Sequence, residues 1–407
     1  MGQGLGRPVI GLLVGLGVIT VSPAGPVRSL SAGVALARAG DTVIVTAGRY
    51  QEQGSIRIER PLTILGRGRP VIAGRGDHTI LVVASAGVTI SGLAIEHVVP
   101  LSTEDRAGIR LEGATGCRIE DNEVRDTYFG IYGAKVDDCR IVGNRVTGPR
   151  LSEQASGNAI QFWNSDRITI QGNTVTGHRD GIYLEFVTES LLEDNESRNN
   201  RRYGLHFMSS HGCTYRRNRF IANGAGVAVM YTKRVVMEAN EFVDNRGPAA
   251  YGLLLKDISD SDIRGNSFRG NSTGLYLEGA NRLAVSANRF EGNGWAVRLL
   301  ANSVDNRFET NGFFGNAFDV ATNSRAASST FSANYWDQYR GFDRNRDGKG
   351  DVPHRPVRLF SLVVEKNDPA LILLRSLFVD LLDQAERVLP ILTPETLVDL
   401  TPLMEPP

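Results

Sequence analysis

The chain has 407 residues, with 45 Lys and Arg against 45 Asp and Glu, so its formal net charge is zero. That balance argues against a nucleic-acid binder, which needs excess cationic side chains against phosphate. Three cysteines, none in a CxxC pair, argue against a disulfide scaffold, while 41% apolar residues suffice to bury a core.

Arg7 precedes the apolar run Val9 to Val21, and Ser22, Pro23 and Ala24 follow it. A basic head, an apolar stretch and a small-residue exit read as a secretory leader over residues 1–24, removed near Ala24. The run falls short of the roughly 20 residues that a membrane span needs. No Cys precedes Cys117, so a lipid-anchored cysteine near the start is excluded. The remaining chain is expected to work outside the cytoplasm. Over residues 25–105, Ser29 to Ala39 is expected to be an amphipathic helix that closes the N-terminal end. Thr42 to Val45, Ile56 to Ile58, Leu62 to Leu65 and Ile80 to Val83 read as irregular first coils.

A repeat of about 22 residues fills residues 106–340. Its anchor is an Asn, at Asn122, Asn144, Asn173, Asn195, Asn218, Asn240, Asn266, Asn288, Asn311 and Asn334. Two longer steps mark insertions, at residues 149–156 and 246–251. Thirteen residues before most anchors stands an apolar residue, usually after Gly, as in Gly181-Ile182, Gly204-Leu205 and Gly226-Val227. A second Asn follows five places later in six repeats, from Asn200 to Asn316. The strands are short and alternate with period two, and no segment between them can hold a crossover helix. The expected fold is all-β: a right-handed parallel β-helix with an N-terminal cap and a C-terminal amphipathic helix plus extended tail. The Asn amides are expected to form an inner ladder at about 4.8 Å spacing. Cys117, Cys139 and Cys213, all five residues before an anchor, are expected to point inward as small hydrophobes, with Cys117 and Cys139 on adjacent coils.

Function then belongs to the outward positions. These are expected to be Tyr183 and Glu185, then His206 and Met208, then Ala228 and Met230, then Leu254 and Lys256. Met208 and Met230 stand 22 residues apart in one register, which predicts Cα atoms about 5 Å apart. His206 shares the face, His211 follows on the next turn, and His178 precedes the neighbouring coil. Thioether sulfur with imidazole suits Cu(I) better than Zn²⁺ or Mg²⁺. Met208, Met230 and His206 are therefore the main copper candidates, with His211, His178 and Glu185 behind them. The competing reading packs the two Met side chains under the 246–251 insertion.

Residues 341–369 read as an Asp-rich loop and C-terminal cap. Asp343, Asn345, Asp347, Lys349 and Asp351 space oxygen ligands like the first nine positions of an EF-hand loop, with Lys349 giving its carbonyl. His354 stands where the bidentate Glu belongs. Ca²⁺ is thus one reading, and an Asx-rich turn closing the last coil is the other. Residues 370–407 read as a long amphipathic helix followed by a Pro-rich tail. Leu373, Leu374, Leu377, Phe378, Leu381 and Leu382 form its apolar face for a partner, and the tail is expected to lie along another protein.

No nucleophile triad shows a recognisable spacing, and no P-loop is present. The carboxylates that a secreted carbohydrate lyase, epimerase or hydrolase would need reduce to Asp137-Asp138 and Asp260/Asp262, all in turns. The segments His178 to Phe186, Arg198 to Met208 and Asn223 to Tyr231 resemble the NosD-type maturation proteins of nitrous oxide reductase. So do Asn334-Tyr-Trp-Asp337 with its Asp-rich loop, and the tail from Leu373 to Thr396. The resemblance implies a non-enzymatic periplasmic copper-binding subunit docked on an ABC permease with a separate ATPase. It further implies that copper arrives from a small periplasmic chaperone and passes to apo nitrous oxide reductase. The C-terminal helix is then the element that meets the permease.

Overall fold

A computed structural model of the chain describes residues 17–101, 104–149, 152–153, 155–324, 328–366, 376–388 and 397–407. The chain winds as a right-handed parallel β-helix of about 14 turns. Each coil adds one short strand to each of three long sheets, which hold 14, 12 and 13 strands. The first sheet begins at Val18–Val21. The second carries the strands with the Gly-apolar start, such as Ile182–Thr188 and Tyr203–Met208. The third carries the strands just after each anchor Asn, such as Arg219–Ile221. Inward residues such as Ile182 and Leu184 are sealed, whereas Tyr183 and Glu185 between and beside them face outward.

The anchor asparagines form the expected ladder. Asn240 Oδ1 accepts from the backbone N–H and the Nδ2 of Asn218 at 3.0 and 3.1 Å. Asn240 Nδ2 in turn donates to Asn266 Oδ1 and to the Tyr215 carbonyl, both at 3.0 Å. The second ladder runs from Asn200 to Asn316 in the same way. Beside it the residues two places after the anchors stack ring on ring from Phe220 through Phe242, Phe268, Phe290 and Phe313 to Trp336. Cys117, Cys139 and Cys213 are free and buried, and the Cys117 N–H donates to Cys139 Sγ at 3.0 Å.

A strand, Val18–Val21, lies within the stretch expected as the leader. Val18–Val21 pairs in register with Thr42–Val45, and Val21 is fully buried. Helix α1, Leu30–Leu36, is capped by Ser29 and lies on this strand so closely that a Cβ at Gly33 would stand 2.5 Å from Val21 Cγ2. Removal near Ala24 would strip a strand from the solenoid. An apolar β-branched stretch suits a leader and a core strand equally. The earlier part of the run, residues 9–16, lies outside the described residues.

The C-terminal end also differs from expectation. The stretch expected to be one helix from residue 370 is described only as α3, Leu377–Val388, and a further helix, α2, covers Leu359–Lys366. Phe360, Val364 and Val379 from these helices bury themselves against Trp295, Phe318 and Ala321 on the last strands of the second sheet. No helix among the described residues is long and apolar enough to cross a membrane.

The tail does not wait for another protein: residues 397–404 close the tube. Asp399 bridges Phe331 and His354, and Leu403 bridges Tyr335 and Lys349. Asp399 is fully buried, and its Oδ2 accepts from Asn334 N–H, Asn334 Nδ2 and Trp336 Nε1 at 3.0 to 3.1 Å. A carboxylate thus takes the place of the next asparagine and ends the ladder.

Candidate functional site

The second sheet brings the sulfur candidates together. Met208 and Met230 are register partners on adjacent strands, which puts their Cα atoms about 4.8 Å apart. Glu185 precedes them in the same column and Lys256, paired with Glu278, follows. Both Met side chains are half-buried, so the 246–251 insertion does not seal them off. The chain turns out of the sheet through left-handed residues at Phe186, Ser209 and Tyr231. Phe186 and Tyr231 project into solvent, one coil on either side of Ser209 and next to the Met column.

His206 shares their face, two residues before Met208, but it is not an open surface group. It is 7% exposed. Its ring lies between Tyr183 and Tyr203, at centroid distances of 4.8 and 5.0 Å. Nδ1 stands 3.6 Å from Asp180 Oδ2 and 3.5 Å from the Arg202 guanidinium. Nε2 is buried and meets no hydrogen-bond partner. Tyr183 links the two halves of the site, because its hydroxyl reaches Met208 Sδ at 4.0 Å. Burial first, and the Glu185 carboxylate second, push the Tyr183 hydroxyl up to about 12, so it stays protonated at neutral pH. Asp180 is fully buried. Burial disfavours its charge, but Arg202 and then His206 hold its carboxyl below the usual range.

The remaining copper candidates divide. Glu185 stands beside Met208 and stays in the site. His211 lies beyond the left-handed corner at Ser209, where Nδ1 meets Thr232 Oγ1 at 3.2 Å. Burial, then Lys233 and Arg234, lower its pKa and keep it neutral. His178 is corrected. It occupies the position five after Asn173 that Asn200 and its successors hold in later coils, and its backbone N–H donates to Asn200 Oδ1. It heads the inner ladder, is fully buried with its pKa pushed down to about 4, and faces away from the Met pair.

Among the described residues, no three His, Cys, Asp or Glu side chains converge as a metal site, so any site here depends on the thioethers. That bears on the Asp-rich loop too. Asp343 accepts from the N–H groups of Arg346 and Gly348, Asn345 from Asp347, Asp347 from Lys349, and Asp351 from Arg344. These are the bonds of an Asx-rich turn.

The partner-binding face is only partly available. Leu373 and Leu374 lie outside the described residues, whereas Leu377 and Phe378 open α3. Leu381 is 61% exposed. Leu382 is corrected, since it packs against the Trp295–Phe318–Phe360 cluster of its own chain.

Two of the four carboxylates of a sugar-cleaving reading are held in two-point ion pairs. Asp138 forms a two-point ion pair with Arg167, and Asp260 does the same with Arg282, which with Ser259 holds its carboxyl at about 2. Neither is poised as a general acid.

The chain is similar over 80–84% of its length to two solved β-helix proteins. One is the catalytic unit of an α-1,3-glucanase from Streptomyces thermodiastaticus, with 14% identity, 71% of that chain covered and a TM-score of 0.64. A second is a family 28 exopolygalacturonase of Yersinia enterocolitica, with 10% identity, 79% covered and a TM-score of 0.59. Identities this low show the fold alone. Residues 142–341 match a family described as periplasmic copper-binding protein (NosD). A probable ABC transporter binding protein NosD of Pseudomonas aeruginosa is 30% identical over 382 residues, covering 89% of this chain and 88% of that protein. A protein of the same description from Stutzerimonas stutzeri is 27% identical over 381 residues, covering 89% and 86%. Similarity that spans nearly all of both chains, on top of the shared β-helix, makes this chain a member of the NosD family.

Proposed function

We propose that this chain is a periplasmic copper carrier that works with an ABC permease and its ATPase in maturing the copper centre of nitrous oxide reductase. It takes Cu(I) from a small periplasmic chaperone on Met208, Met230 and His206, with Glu185 at the margin, and passes it to the apo-reductase. The observation that carries this reading is the in-register pair of half-buried thioethers beside an imidazole whose Nε2 has no partner. Two sulfurs and one neutral nitrogen satisfy a soft monovalent cation in three-coordinate geometry. The half-buried Met side chains are not sealed off, which leaves the ion open to exchange, as a carrier needs. ATP hydrolysis belongs to a partner chain, in line with the missing P-loop and with relatives named for an ABC transporter.

Competition with a Cu(I) chelator tests the site. The double variant Met208→Ala/Met230→Ala is expected to bind Cu(I) on the order of 100-fold more weakly, about 2.7 kcal/mol, with its melting temperature little changed. Equal affinity in variant and wild type removes these residues from the site.

The two helices supply the docking element. Val363 on α2 and Leu381 on α3 expose apolar side chains while their neighbours hold the helices to the solenoid. Val363→Glu/Leu381→Glu is expected to leave the β-helix folded and to abolish co-purification with the permease. Retained co-purification would place the contact elsewhere.

A further inference from the structure

We infer that Asp180 and Arg202 are positioning residues that fix the His206 imidazole for copper. The inference rests on the copper reading above and deepens it. A buried carboxylate paired with one guanidinium is costly on the outside of a solenoid, because desolvation of both groups offsets their attraction. The fold does not require it. In other coils the same place, two residues before the first inward residue of the strand, carries apolar, aromatic or neutral polar residues, such as Phe129, Asn158, Tyr203, Thr273 and Trp295. Asp180 alone is charged there, and it stands one coil before the strand that bears His206 and Met208.

The pair does to His206 what a support shell does. Arg202 Nε donates to Asp180 Oδ1 at 2.8 Å, a second guanidinium nitrogen meets Oδ2, and the Tyr203 N–H adds a third bond at 3.3 Å. The Arg202 guanidinium also lies 5.0 Å above the Tyr203 ring. Nδ1 of His206 stands beside this ion pair, and the rings of Tyr183 and Tyr203 pack against the imidazole at tilted and edge-on angles. Nε2 is left as a buried nitrogen without a partner, a state that is rare unless a ligand completes it. Ligating histidines commonly donate their other N–H to a carboxylate, the part that Asp180 Oδ2, 3.6 Å from Nδ1, is placed to take, and loss of such a partner costs about 10- to 100-fold in metal affinity.

The test uses the full chain with Cu(I) alone, chelator competition for affinity and X-ray absorption for the ligand set. Asp180→Asn is expected to weaken Cu(I) binding about 10- to 100-fold and to remove the nitrogen shell while both sulfurs stay, as His206→Ala does. In a His206→Ala background, Asp180→Asn is expected to cost nothing further, since its effect runs through the imidazole. A merely structural carboxylate would weaken both backgrounds alike, and that result overturns the inference. So does an unchanged affinity with the nitrogen shell retained. Asp180→Leu/Arg202→Met removes both charges together and covers the case in which Asp180→Asn fails to fold; it is expected to lose the same nitrogen shell. Should Met208→Ala/Met230→Ala bind copper like wild type, the copper reading itself fails, and that outcome is distinct from failure at Asp180.

Discussion

A chain ending at residue 396 is expected to lose about 3–6 kcal/mol of stability and to self-associate. Residues 397–404 are the lid of the tube. Their removal deletes Leu397, 3% exposed in the intact chain, from the core and leaves Trp336 and Phe331 facing water. Burying one such side chain contributes about 1.5–3 kcal/mol, and two or three are affected in part. The Asn334 amide and Trp336 Nε1 lose Asp399 at the same time, although water can replace it at an open end. The last coil then presents unpaired strand edges to solvent, which invites pairing with a second chain. Asp399→Ala isolates the polar part. The lid stays, so the orphaned donors remain dry, and a loss of about 2–4 kcal/mol is expected. Denaturant melts and sedimentation of both variants check this. A truncated chain as stable and as monomeric as the parent would show that the tail is not a lid.

The lid was not visible in the sequence because its partner residues are remote. Asp399 stands 65 residues after Asn334, beyond two helices, and nothing local separates a Pro-rich lid from a Pro-rich tether. The coil register was legible for the opposite reason. Each winding places the same residue in the same corner, so Asn122 to Asn334 announce the fold by spacing alone. The same rule would have placed His178 indoors, since it stands five after Asn173 as Asn200 stands five after Asn195. Its chemistry as a ligand obscured its position as a ladder residue. Met208 and Met230 were placed correctly because their pairing follows from register. The burial of His206 was not, because the groups that cover it, Tyr183, Tyr203 and Arg202, do so through side-chain reach and not through periodicity.

Asn240→Ala is expected to cost about 3–6 kcal/mol, more than most single surface or core changes, because it cuts the ladder in mid-tube. The variant keeps its own backbone N–H bond to Asn266 Oδ1. It strands the Asn218 N–H and one hydrogen of Asn218 Nδ2, both without access to water, and takes from the Tyr215 carbonyl the side-chain donor that supplements its sheet bond. Each such orphan costs about 1–3 kcal/mol. Asn240→Asp separates shape from chemistry. It retains an acceptor for Asn218 but turns a carboxylate oxygen toward the Tyr215 carbonyl and Asn266 Oδ1, so acceptors face acceptors. It is expected to be at least as damaging at pH 7 and to recover part of the loss on acidification, when the protonated oxygen can donate again. A solenoid holds each coil mainly through its two neighbours, so the damage should appear as lost hydrogen-exchange protection across residues 215–266 with the distant coils less affected. Uniform loss along the tube would show that the coils melt as one unit, and no loss at all would mean that the amide ladder fills space without bearing on stability.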